Sequence, residues 1–354
     1  MTTRQEMLIS DYDYVSLCSS INWNEMRDKT VLITGATGLI GKNIAHSLLY
    51  CNKKFGLNLK VIACVRNMKK ARAEYSESIE SGDNISFAVG DIRDCFDIKE
   101  RIDYIIHGAS VTSSNDFVAR PTLTIDTTVN GSRAVLDLAL NKKVSSMVYL
   151  STMEVYGVNA EEKRITENDI GYLNPMNVRS CYPESKKLCE CMCAAYHSEY
   201  SVPVKVVRLT QTFGPGVEYN DGRVFADFAR CYIEDRDIVL HTAGETRRSY
   251  LYTADAVAAV LTVLLSGNDG EAYHVANEDT YCSILEMANL VSSIQLDKKI
   301  KVLIEIDDAV RGYAPTLKMN LDTSKIKGLG WSPSAGLKKM FLRTIEWMKC
   351  EDVK

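Results

Sequence analysis

The chain has 354 residues, 46% of them hydrophobic and 25% charged, enough apolar material for a substantial core and too much for a disordered or collagen-like polymer. Lys and Arg number 42 against 46 Asp and Glu, a formal net charge of −4. That mild acidity offers no basic surface for nucleic acid, whose affinity rests on phosphate neutralisation.

MTTRQEMLISDYDY, at the start, has no basic segment leading into an apolar core, so it does not read as a secretory signal. Residues 1–27 form a helical lead-in carrying no identifiable chemistry. Then short β-rich runs alternate with helical stretches. VLITG (Val31–Gly35) is a strand, followed by a helix through LIGKNIAHSLLYC. KVIACV (Lys60–Val65) is the second strand, and the basic stretch NMKKARAEY is the next helix. ISFAVG, YIIHGA, MVYLST and VKVVRL continue the series. Continuous apolar runs without in/out alternation belong to parallel strands buried on both faces. The expected fold is therefore α/β: a Rossmann-type doubly wound parallel sheet with a smaller C-terminal α/β substrate lobe.

After Leu209 the texture changes. TFGPGVEYNDGR and HTAGETRRS read as turn-rich segments, and AVAAVLTVLL after Asp255 as a buried helix too short to span a bilayer. Ser283 with Glu286 forms a capping box opening ILEMANLVSSI. A β-rich KVLIEI, a loop around Pro315 and a closing helix from Leu337 complete the chain. The expected division is 1–27 as extension, 28–217 plus about 246–278 as the dinucleotide-binding unit, and about 218–245 plus 279–350 as the substrate lobe.

The eleven cysteines include no paired CxxC unit. Cys189 and Cys193 in KKLCECMCAAY share a helical face while Cys191 points elsewhere, so they read as small hydrophobes. His107, His197, His241 and His274 show no metal spacing. No metal is expected. The thiols suit a reducing, cytoplasmic compartment.

The strongest local signal is VLITGATGLIGKNI, with Gly35, Gly38 and Gly41 between a strand and a helix. Glycine there lets backbone approach a pyrophosphate, while the helix N-terminus through Leu39 and Ile40 supplies N–H groups and positive dipole. The position that holds the adenosine ribose, at the end of the second strand, is Arg66, with Lys69, Lys70 and Arg72 following. An arginine there favours a 2′-phosphate and hence NADP. CYPESKKLCE places Tyr182 and Lys186 on one face at the start of a helix. A tyrosine titrates near 10 unaided and needs a neighbouring cation to act as a base at neutral pH, which Lys186 can supply.

TGATGLIG resembles the short-chain dehydrogenase/reductase superfamily. With YxxxK and Thr152 in LSTMEVYG, the chain resembles, over Lys29–Met348, the extended members that modify nucleotide sugars. STMEVYG, RSCYPESKKLCECMCAAY, TFGPGVEYNDGRVFADF and TRRSYLYTADAV most resemble UDP-glucuronate decarboxylases, and GLGWSPSAGL resembles that group's closing segment. The resemblance implies bound NAD, an adenine contact at Asp91 with Ile92, and a dinucleotide contact at Ala109 and Ser110. It implies a site of Thr152, Glu154, Tyr182 and Lys186, with Gln211, Arg223 and Arg248 on the substrate. It further implies a homodimer and a redox-neutral cycle at sugar C4 ending in loss of carbon dioxide.

Four positions depart from the pattern. Met153 replaces serine or aspartate, Gln211 and Thr128 replace asparagines, and Arg66 replaces the NAD-selecting aspartate. A thioether cannot protonate a leaving hydroxyl, which disfavours 4,6-dehydration. A 4-epimerase or a 4-ketoreductase could use the same residues. A non-enzymatic dinucleotide sensor fits poorly, because the threonine, tyrosine and lysine are all present.

Overall fold

The computed structural model describes residues 3–94, 98–158, 163–294, 300–306 and 316–350. The expected loop at Pro315 lies outside them. Its large sheet has seven parallel strands: β1 (Thr30–Thr34), β2 (Lys60–Val65), β3 (Ile85–Val89), β4 (Tyr104–His107), β5 (Ser146–Thr152), β6 (Val204–Leu209) and β7 (Ala272–Val275). Their spatial order is β7-β6-β5-β4-β1-β2-β3. The chain winds outward one way from β1 to β3, then returns to place β4 on the other side of β1. Val31 therefore faces Val61 on one flank and Tyr104 on the other. Where strand order reverses in such a sheet, a crevice opens beyond the carboxyl ends of the strands.

Successive residues of a strand point to opposite faces, and both faces of this sheet are covered. Val31 and Ile33 join a core with Ile44, Leu48 and Ala258, from the helices Leu39–Phe55 and Thr253–Ser266. Leu32 joins Leu136, Cys189 and Cys193, from the helices Pro121–Lys142 and Cys181–Tyr200. Cys191 is exposed between its two buried neighbours. Among the described residues no helix is long and apolar enough to cross a membrane.

The N-terminal helix, Arg4–Ser16, opens on a capping box between Thr3 and Glu6. It is tied in by Asp11, which accepts from Arg343 of the closing helix at 2.7 Å and from the hydroxyl of Tyr252 at 2.8 and 2.9 Å. The capping box of Ser283 and Glu286 forms at the start of Ile284–Ser292. The closing helix runs Leu337–Lys349.

Further segments read as loops or not singled out are strands. Gln211–Phe213 and Arg247–Tyr252 pair in parallel, Asn277–Ser283 runs antiparallel to Arg247–Tyr252, and Lys318–Leu321 pairs with both Arg247–Tyr252 and Arg164–Ile165. The turn-rich reading of HTAGETRRS thus stops short at Arg247. Val302–Ile304, inside the β-rich KVLIEI, pairs with Ile238–Leu240.

Candidate active site

The glycine turn leaves the end of β1 at the strand-order reversal. Gly35 has φ +72°, a left-handed conformation that disfavours any Cβ, and a Cβ there would also lie 2.9 Å from the backbone of Gly108 and Ala109. At Gly41 a Cβ would stand 2.3 Å from the carbonyl oxygen of Gly35. The helix therefore begins pressed against the turn. Gly38 is its N-cap, and its own N–H donates to the Gly35 carbonyl at 2.9 Å. The first-turn amides of Leu39, Ile40 and Gly41 lack intrahelical acceptors by helix geometry and carry the positive end of the dipole. A cradle with no Cβ and outward N–H groups fits a dinucleotide pyrophosphate.

The other expected cofactor contacts gather at the same strand ends. Arg66 is exposed just past β2. Asp91 follows β3 and is gripped by Arg93, whose Nε and Nη2 donate at 2.9 Å each. Those bonds, with a smaller contribution from Arg66, hold its carboxyl down at about 2. Ile92 is buried against Gly131, where a Cβ would come within 2.7 Å of it. After β4, the amide of Ala109 donates to the Thr34 hydroxyl at 3.1 Å, and the Ser110 hydroxyl lies 3.3 Å from that of Thr128. Thr128 thus has a local partner. His107, fully buried and driven down to about 3 by that burial, bridges Thr34 at 2.7 Å and Ser132 at 3.1 Å. A neutral imidazole here locks the loop that flanks the glycine turn.

Beyond the crevice, β5 ends on Thr152, which caps the turn Met153–Tyr156 by accepting from the Glu154 amide at 3.3 Å. The tyrosine helix starts at Cys181, so Tyr182 and Lys186 sit on its first turns facing the end of β5. The Thr152 hydroxyl lies beside the Tyr182 phenol and favours its ionised form. Lys186 donates to the Leu150 carbonyl at 2.7 Å, and its ammonium is 5.9 Å from the Tyr182 ring centroid. Burial brings Lys186 down to about 8. Burial, reinforced by Glu154, also pushes the Tyr182 phenol well above its ordinary range, against opposing pulls from the Thr152 hydroxyl, Arg179 and Arg223. The expectation that a nearby cation lowers this tyrosine is thus outweighed by desolvation.

Glu154 projects beside this pair and accepts from Arg179 at 2.8 Å. The Arg179 guanidinium lies 4.9 Å over the Phe117 ring, and Phe117 stacks on Tyr182 at 4.3 Å and 9°. Neither Arg179 nor Phe117 received a role from sequence reading. Arg179 was within reach, standing three residues before the tyrosine in RSCY, whereas Phe117 comes from a distant segment whose approach only the fold shows. Met153, by contrast, is buried with Ile165, Ala276, Met319 and Leu321 in a small satellite core.

Three substrate candidates stand outside the seven-stranded sheet. Gln211 opens its short strand beside Tyr250. Arg223 is held by Asp221 at 2.9 Å and lies 4.8 Å over Phe225. Arg248 has a buried Nε without a hydrogen-bond partner, a donor available to a ligand. Among the described residues no group of three His, Cys, Asp or Glu side chains could hold a metal ion.

Comparison with known proteins identifies the family. The NAD dependent epimerase/dehydratase family matches residues 31–277. UDP-glucuronic acid decarboxylase 1 of Xenopus tropicalis is 29% identical over 330 residues, covering 93% of this chain and 74% of that protein. The dTDP-D-glucose 4,6-dehydratase of Bos taurus is 30% identical over 333 residues, covering 91% of this chain and 89% of that protein. The fold is shared with UDP-glucuronic acid 4-epimerase from Bacillus cereus, solved with UDP-glucuronic acid and NAD, at TM-score 0.74, 19% identity, and coverage of 90% and 99%. The chain belongs to the NAD-dependent epimerase/dehydratase family.

Proposed function

We propose that this enzyme oxidises a nucleotide sugar at C4 and, through the 4-keto sugar, removes a C6 carboxylate as carbon dioxide before reducing C4 again. The observation that carries the reading is the division of labour on the turn after Thr152. Glu154 faces the tyrosine while Met153 is buried in the small satellite core. A dehydratase needs an acid for the leaving hydroxyl, and the thioether has no proton to give. Loss of carbon dioxide from a β-keto acid needs no such acid, because the electrons of the C5–C6 bond pass into the ketone.

NAD, when bound on the glycine turn, supplies the hydride acceptor and the returning hydride. Gly35, Gly38 and Gly41 with the amides of Leu39 and Ile40 hold the pyrophosphate, and Asp91, Ile92, Ala109 and Ser110 border the remaining length. Thr152 orients the C4 hydroxyl. Tyr182 takes its proton as C4 is oxidised and gives one back when C4 is reduced. Lys186, anchored on Leu150, presents its charge beside the phenol. Glu154, held in place by Arg179, stands where a proton could be passed to C5 after the carboxylate leaves. Gln211, Arg223 and Arg248 receive the nucleotide and sugar.

Two neighbouring helices, Pro121–Lys142 and Cys181–Tyr200, leave Ile125 and Leu188 exposed, which supports a homodimer through that face. A cytoplasmic setting suits the free thiols of Cys51, Cys64, Cys189 and Cys231. A second reading, a 4-ketoreductase using NADP, is favoured by the exposed Arg66 beyond β2.

Nicotinamide absorbance during turnover separates the two. The decarboxylase leaves no net change once product has formed. Steady consumption of NADPH in proportion to product would establish the reductase instead.

A further inference from the structure

The N-terminal helix and Tyr75, between the helices Met68–Glu74 and Ser76–Glu80, have no part in the reaction, yet a chain of aromatic side chains joins them to the glycine turn. The hydroxyl of Tyr75 is buried and donates to the carbonyl of Ala36 at 2.6 Å. Ala36 is the residue after Gly35, so this bond fixes a peptide of the turn itself. Without it a buried carbonyl is left unpaired, and the peptides that aim N–H groups at a pyrophosphate can rotate. The Tyr75 ring packs 4.7 Å from His46, which lies on the glycine-turn helix, and 5.7 Å from Phe87 of β3. His46 is held in turn by Glu74 at 3.5 Å and by the ring of Tyr12, stacked 6.1 Å away at 22°. Tyr12 belongs to the N-terminal helix.

We propose that Tyr75 is a positioning residue for the dinucleotide, bracing the glycine turn through Ala36, and that the N-terminal helix tightens cofactor binding by pressing on it through Tyr12 and His46. The inference concerns the cofactor cradle and stands whichever reaction the enzyme performs. Residues 3–16 then serve to hold the dinucleotide in its cradle.

Calorimetric titration of cofactor-stripped protein with NAD⁺ and with ADP-ribose tests this, alongside thermal melting of the same protein without ligand. Tyr75→Phe keeps the ring and removes only the hydroxyl. Both ligands should bind about three- to tenfold more weakly, the loss expected of one neutral hydrogen bond. ADP-ribose lacks the nicotinamide, so an equal loss for both localises the effect to the cradle. Tyr12→Leu should weaken both ligands by less, and should cost nothing further in the Tyr75→Phe background, because its leverage on Ala36 runs through the missing hydroxyl. Wild-type affinity in Tyr75→Phe, or weaker NAD⁺ binding with unchanged ADP-ribose binding, overturns the proposal even if the melting temperature falls. Equal penalties for Tyr12→Leu in both backgrounds overturn the part played by the N-terminal helix. Should Tyr75→Phe not fold by circular dichroism, Tyr12→Leu decides alone, and unchanged affinity refutes the bracing. Failure of the wild-type protein to bind NAD⁺ would instead refute the cofactor site.

Discussion

Phe117 stacks on Tyr182 with ring centroids 4.3 Å apart and planes 9° from parallel, so the candidate base has a fixed wall before any substrate arrives. The stack holds the phenol direction that Thr152 needs to reach it. Tyr182→Phe preserves this packing and deletes only the ionisable oxygen. Turnover should fall by about 10²–10⁴, the usual share of a general acid–base group, with the melting temperature little changed. Near-normal turnover by that variant would remove Tyr182 from the mechanism.

Lys186 is the reverse case, a charge whose burial is offset by the Leu150 carbonyl. Lys186→Met removes the ammonium and keeps much of the stem. Activity should fall by at least about 10², and raising the pH should recover part of it, since a phenol without its neighbouring cation ionises only at higher pH. A pH profile unchanged from wild type in shape and height would contradict this role.

His107 makes a prediction about stability rather than rate. Its ring is buried and its folded-state value lies at about 3, far below the ordinary 6.5. Between those values the unfolded chain binds a proton that the folded chain refuses, so stability rises with pH across this window and is lost as pH falls from 6.5 towards 3. The slope from this one group is at most about 1.4 kcal/mol per pH unit. Denaturant titrations of wild type and His107→Asn should show the variant less stable at neutral pH but with a flatter acid limb. An equally steep limb would assign the acid sensitivity to other groups.

Arg66 tests the cofactor preference. Arg66→Asp should raise the affinity for NAD relative to NADP, as a carboxylate accepts from ribose hydroxyls and repels a 2′-phosphate. An unchanged ratio would show Arg66 to be a surface charge only.

Much of this was legible in the sequence. Strands such as KVIACV stand out because burial on both faces removes polar alternation, and β2 runs Lys60–Val65 as read. Asn277–Ser283 was not legible. Its NEDTYCS run carries no apolar pattern and becomes a strand by pairing with Arg247–Tyr252, where the Thr280 hydroxyl accepts from the Tyr250 amide at 2.7 Å. The same contrast holds in the site. Tyr182 and Lys186 share a helix face and so announce themselves by spacing, as does the glycine turn. Phe117 and Tyr75 act across the fold, and a tyrosine that bonds a distant backbone carbonyl leaves no mark in its own neighbourhood. Desolvation of Tyr182 was equally hidden, since it depends on everything packed around the ring.

Glu154 separates lyase chemistry from plain oxidoreduction. Glu154→Gln is nearly isosteric and keeps a hydrogen-bonding partner for Arg179. It should bind cofactor and nucleotide sugar while losing product formation by at least about 10². Turnover close to wild type would move the assignment to an epimerase or reductase, for which Thr152, Tyr182 and Lys186 suffice.

The most direct measurement is mass spectrometry of the products formed when wild-type protein is incubated separately with UDP-glucuronate, UDP-glucose, dTDP-glucose and CDP-glucose. The proposed chemistry yields a UDP-pentose from UDP-glucuronate, lighter by one carbon dioxide, and leaves the three neutral sugars at their starting mass. Loss of water from a neutral sugar, or UDP-glucuronate converted only to an isomer of equal mass, would contradict it.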